Sequence, residues 1–80
     1  MTLPAAAQQS VWVQVEAQRT LTGAQNAARV YAAAGVPDVT GFALSGGWYG
    51  IALGPYAPID ANTQLRRLQN ARAIPADSYI

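Results

Sequence analysis

Residues Val11-Trp12-Val13-Gln14-Val15-Glu16 alternate strictly, the period-two pattern of a half-buried strand. Val11, Val13 and Val15 fall on one face, and Trp12, Gln14 and Glu16 on the other. A second apolar run, Trp48-Tyr49-Gly50-Ile51-Ala52-Leu53, lies between Ser45-Gly46-Gly47 and Gly54-Pro55-Tyr56. Turn residues at both ends and aromatic and β-branched residues between them predict a strand of about six residues. Tyr49, Ile51 and Leu53 form its expected core face, while Trp48, Gly50 and Ala52 face the other way. Val39-Thr40-Gly41-Phe42-Ala43-Leu44 is a weaker strand broken by Gly41, with Phe42 and Leu44 expected on the core side. Ser45-Gly46-Gly47 then closes a hairpin into the second run.

The helical period appears twice. Ala24, Ala27, Ala28 and Tyr31 recur at i, i+3, i+4 and i+7, with Gln25 and Arg29 pointing away. Thr22 and Gln25 have capping-box spacing, and Gly35 stands where a glycine ends a helix. The second helix is expected from Pro58, with Asp60 in its first turn complementing the helix dipole. Ala61, Leu65 and Leu68 form its apolar stripe, while Arg66, Arg67 and Gln69 are expected to face solvent. Pro75 ends any continuation, and Ser78-Tyr79-Ile80 reads as a short last strand.

The predicted order is strand, helix, strand, strand, helix, strand. It points to an α+β domain of the βαββαβ split βαβ type (ferredoxin- or RNP-like), a four-stranded antiparallel sheet with two helices on one face. An internal repeat agrees with this. Trp12-Val13-Gln14-Val15 precedes Trp48-Tyr49-Gly50-Ile51 by 36 residues, and Ala24, Ala28 and Tyr31 match Ala61, Leu65 and Leu68 at 37. A pseudo-twofold axis near Gln14 and Gly50 would set Trp12 opposite Ala52 and Trp48 opposite Glu16. The two tryptophans would then stand at diagonal corners, roughly 13–14 Å apart along the strands.

Eighty residues, 51% hydrophobic and 11% charged, fit one small folded domain. No run is long enough to span a bilayer. Met1-Thr2-Leu3 lacks the features of a signal peptide. The domain is then either cytoplasmic or cut from a longer exported protein; residues 1–10 resemble the end of an Ala/Pro/Gln linker, which favours residues 11–80 being such a cut domain. The absence of cysteine and histidine removes the usual metal ligands and the usual general base. No lysine or histidine is present to activate Ser10, Ser45 or Ser78, and Glu16, Asp38, Asp60 and Asp77 are scattered. Neither catalysis nor a metal or cofactor is expected. A net charge of +1 is too weak to make nucleic acid or membrane the main partner.

What remains is the outward sheet face. Two tryptophans flanking Gln14, Gly50 and Ala52 describe a shallow trough with aromatic ends, suited to a flat polymer such as a glycan or a single-stranded nucleic acid. The plainer readings are Trp12 folded over the sheet edge and Trp48 at a hairpin tip.

Around Val13-Gln14-Val15 and Trp48-Tyr49-Gly50-Ile51-Ala52-Leu53-Gly54-Pro55-Tyr56 the chain resembles a SPOR (sporulation-related repeat) domain. The resemblance covers Trp12 to Ile80, and the Gly54-Pro55-Tyr56 corner is its most specific part. It implies a non-catalytic module that binds peptidoglycan, preferring glycan strands stripped of stem peptides. It also implies a periplasmic, septum-associated place in cell division, at the end of a larger envelope protein. Gln14 matches the family's first-strand glutamine, Tyr56 the aromatic of the corner, and Trp48 and Tyr49 the aromatics opening the third strand. The chain departs from the pattern at Glu16-Ala17-Gln18, where the family has glycine, a small residue and phenylalanine. It departs again at Gly50 and Ala52, where arginine is frequent. The glycan-binding candidates are Trp12, Gln14, Glu16, Gln18, Trp48, Gly50 and Tyr56, in a monomer. A protein-interaction module using the same aromatic face is the alternative. Single-stranded RNA binding by sheet aromatics is a third reading, opposed by the near-neutral charge.

Overall fold

The computed structural model describes residues 10–80. The expected linker therefore lies, apart from Ser10, outside the described residues. Strand β1 (Val11–Gln18) leads into helix α1 (Leu21–Ala33), then strand β2 (Val39–Ala43). A 3₁₀ turn at Ser45–Gly47 joins it to strand β3 (Tyr49–Tyr56), which is followed by helix α2 (Pro58–Asn70). The strands form an antiparallel sheet in the order β1-β3-β2, so the third strand is central.

Both helices cover one face of this α+β sheet. Val13, Val15, Ile51 and Leu53 from the strands pack with Ala24 of α1 and with Ala61 and Leu68 of α2. Ala27, Tyr31 and Leu65 flank them, as the helical stripes predict, and Val36 and Ile74 close the ends. No helix among the described residues is long and apolar enough to cross a membrane.

The structure changes four expectations. A fourth strand does not form. Ser78-Tyr79-Ile80 contributes one isolated antiparallel bridge, in which Gln14 and Tyr79 exchange two backbone hydrogen bonds of 2.7 and 3.1 Å. The segment is anchored instead by Gln69, whose amide donates to the carbonyls of Ala76 and Ser78, so Gln69 does not simply face solvent. Helix α1 is capped by Thr20, which accepts from the Gly23 N–H at 2.9 Å, two residues before the expected cap. Gly23 makes this possible, since a Cβ there would approach the Thr20 hydroxyl to 2.9 Å.

The third change is the β1–β3 register. Gln14 stands opposite Ala52, not Gly50, and two irregularities interrupt the ladder. Between Val11 and Val13 the extra residue lies on β3, and between Gln14 and Glu16 it is Val15 on β1. Such a bulge shifts every later side chain to the other face. Glu16 thus aligns with core-facing Ile51, and Ala17 with Gly50.

The fourth concerns β2. Val39 and Gly41 pair with Leu53 and Ile51 on the helix side, whereas Thr40 and Phe42 pair with Ala52 and Gly50 on the opposite face. Phe42 and Leu44 therefore do not join the main core. They lie over Gly50, where a Cβ would meet the Phe42 ring at 3.0 Å and Leu44 Cδ1 at 3.2 Å.

Candidate functional site: the open face of the sheet

The face away from the helices begins with Ala52, fully buried although it points away from the main core. Its cover explains this. Trp12, Gln14, Thr40 and Phe42 surround a cleft of about 290 Å³, with the Trp12 and Phe42 rings 6.4 Å apart and inclined at 49°. Small residues on the central strand let bulky ones on both neighbours lean inward. At Gly54 (φ +132°) a Cβ would lie 3.4 Å from the Trp12 ring and 3.2 Å from the Val11 carbonyl oxygen. The glycine of the Gly-Pro-Tyr corner is thus required by its positive φ and by the close β1 backbone, with the Trp12 ring packed just beyond.

Gln14 is held from the C-terminal side. Its backbone bridges to Tyr79, and the Tyr79 hydroxyl donates to its Oε1 at 3.3 Å. With the carboxamide oxygen engaged, Nε2 is the end available to an incoming acceptor. Trp12, 38% exposed, presents an aromatic surface beside it. Two aromatic rings, a carboxamide and a hydroxyl around one small cleft can stack against a ring and hydrogen-bond its substituents.

The predicted site residues separate. Trp12 and Gln14 share this cleft. Trp48 stands just before β3, at the 3₁₀-turn end of the sheet, six residues along the chain from Gly54, or about 20 Å along an extended strand. Gly50 lies beneath Phe42 and Leu44. Glu16 and Gln18 turn to the helix side, contrary to the alternation read from sequence. There Tyr31 donates to Glu16 Oε1 at 2.8 Å, and the Gln18 amide donates to Oε2. Burial, followed by this hydrogen bond and the Glu16 charge, pushes the Tyr31 phenol up to about 12. Tyr56 packs against the core, and its hydroxyl donates to Asp38 Oδ2 at 2.7 Å. Burial first, and then that carboxylate, likewise pushes Tyr56 up to about 12. Both tyrosines fasten the framework of the domain.

Sequence reasoning missed Phe42, Thr40 and Tyr79. For Phe42 and Thr40 the signal was the parity of β2, which the hairpin fixes relative to β3. Nothing local in Tyr79 connects it with Gln14, 65 residues earlier.

No curated protein and no solved structure matched the chain. The family model described as SPOR domain matches residues 7–80. The chain therefore belongs to the SPOR-domain family, binding modules of envelope proteins known for recognising peptidoglycan and associated with cell division.

Proposed function

We propose that the domain is a non-catalytic module that binds peptidoglycan glycan strands denuded of stem peptides through the open sheet face. Trp12 and Phe42 stack on sugar rings, Gln14 Nε2 donates to acetamido or hydroxyl oxygens, and the Thr40 hydroxyl lies across the cleft. The observation that carries this reading is the cleft itself, in which two aromatic rings flank an oriented carboxamide. Peptidoglycan places the domain in the periplasm, as part of an exported or membrane-anchored protein acting at the septum. Stacking and neutral hydrogen bonds release few counterions, so the affinity contributed by this cleft should change little with salt.

Pull-down on intact and amidase-treated sacculi tests the proposal. Retention on treated sacculi, and markedly less on intact ones, is the expected result. Equal retention on both, or none on either, by a folded domain would sink it.

Docking of another envelope protein is the second reading, supported by the apolar character that Trp12 and Phe42 give the same cleft. A Trp12→Ala variant that keeps glycan binding but loses a protein partner would favour it.

A further inference from the structure

The glycan reading leaves one charged group on this face without a role. The β1–β3 register pairs Ala17 with Gly50 and Gln18 with Tyr49, and continuing it sets Arg19 opposite Trp48. The guanidinium carbon of Arg19 lies 4.5 Å from the centroid of the Trp48 rings. A cation at that distance is attracted by the negative face of the indole. Arg29 is bonded to Asn26 on α1, and Arg67 to Gln64 on α2. Glu16, the acid nearest in sequence, is turned to the helix side and bonded by Tyr31 and Gln18. Among the described residues Arg19 has no carboxylate partner.

The arrangement also limits what Trp48 can do. One face of its indole is engaged by Arg19, although Trp48 is as exposed as Trp12. The guanidinium's planar fork of N–H donors matches the two oxygens of a carboxylate, a fit that a lysine ammonium cannot reproduce. We infer that Arg19, positioned by Trp48, forms an anionic subsite at the 3₁₀-turn end of the face, and that it takes a sugar-borne carboxylate. This inference rests on the glycan reading and deepens it. In peptidoglycan the lactyl carboxylate of muramic acid is tied up as an amide wherever a stem peptide is attached. Removing the peptide frees that carboxylate. A carboxylate-selective subsite thus supplies an electrostatic reason to prefer denuded strands, independent of any steric exclusion of the peptide.

The test uses the whole chain and three soluble probes. The first is amidase-stripped glycan with free lactyl carboxylates. The second is the same glycan after carbodiimide coupling to methylamine, which makes those groups neutral amides. The third is chitotetraose, which has the acetamido sugars but no lactyl group. The wild type should bind the first about five- to tenfold tighter than the second, the scale of a guanidinium–carboxylate contact near the surface. Arg19→Gln should bind the first and second equally, at the wild-type affinity for the second, with an unchanged thermal midpoint. Arg19→Lys should keep part of the preference. Equal wild-type affinity for the first two probes, or an undiminished preference in Arg19→Gln, overturns the subsite and leaves the glycan reading standing. Absence of binding to all three probes overturns the glycan reading, and the subsite with it.

Discussion

Gly50 shows how much one missing side chain decides. It lies on the central strand beneath the Phe42 ring and Leu44, and its Cβ would come within 3.0–3.2 Å of both. The Phe42 ring can lean over the sheet toward Trp12 because nothing projects there. Gly50→Val should therefore push Phe42 off the face and destabilise the domain by about 1–3 kcal/mol, the usual cost of overpacking. Urea denaturation measures this, and an unchanged midpoint would contradict the account. The same substitution should weaken glycan binding, since it opens the Trp12–Phe42 pair. Glu16 carries the converse lesson. In a regular strand it would stand on the face of Gln14, but the Val15 bulge sends it to Tyr31.

At the scale of elements, the two helices are copies with unequal ends. Both finish in the same motif, with the C″ N–H bonded to the C3 carbonyl. Val36 bonds to Tyr31 at 3.0 Å in α1, and Ala73 to Leu68 at 2.9 Å in α2. These positions are 37 residues apart, extending the repeat seen in the apolar stripes. At the αL position α1 has Gly35 (φ +87°), whereas α2 has Arg72 (φ +57°), a residue poorly suited to it. At the N-caps the equivalent residues are Thr20, which caps through its hydroxyl, and Ala57, which has no side-chain cap. Helix α2 is thus the less well-terminated copy. Arg72→Gly is expected to add about 1 kcal/mol, and Ala57→Ser about 0.5–1 kcal/mol. Thermal unfolding of the two single variants should show both midpoints rising. A fall in either would mean that the native side chain makes a contact outweighing its backbone cost.

For the whole molecule, two half-buried phenols tie elements distant in sequence. Tyr31 joins α1 to β1 through Glu16, and Tyr56 joins the end of β3 to Asp38, in the turn before β2. Each is raised from 10.0 to about 12, chiefly by burial and then by its carboxylate partner. A raised folded-state value means that the neutral phenol is favoured by folding. Its contribution is fully present below pH 10 and is lost as pH rises from 10 through about 12. Stability should therefore be flat with respect to these groups below pH 10 and fall steeply above it. A Tyr31→Phe/Tyr56→Phe double variant should lose most of that slope. Urea unfolding at a series of alkaline pH values decides this, and an equal slope in the variant would refute the assignment.

The elements were legible in the sequence because their signals are local: β1 from alternation, β3 from an apolar run between turn residues, the helices from stripes that match the observed core. The sequence also determined the α+β class and the family resemblance through the Gly-Pro-Tyr corner. Which side chains share a surface was fixed only by strand pairing and its bulges. Bulges invert parity without marking the local pattern, so the alternation Trp12, Gln14, Glu16 does not describe one face. Hairpin pairing, not hydrophobicity, turned Phe42 outward, because its partner Gly50 lies on the side away from the helices. The last segment had the composition of a strand, yet it pairs at one residue only, with Gln69 holding the rest. Trp12 and Gln14 were legible as site candidates. Their companions Phe42, Thr40 and Tyr79, and Arg19 on Trp48, emerged only when distant segments were brought together.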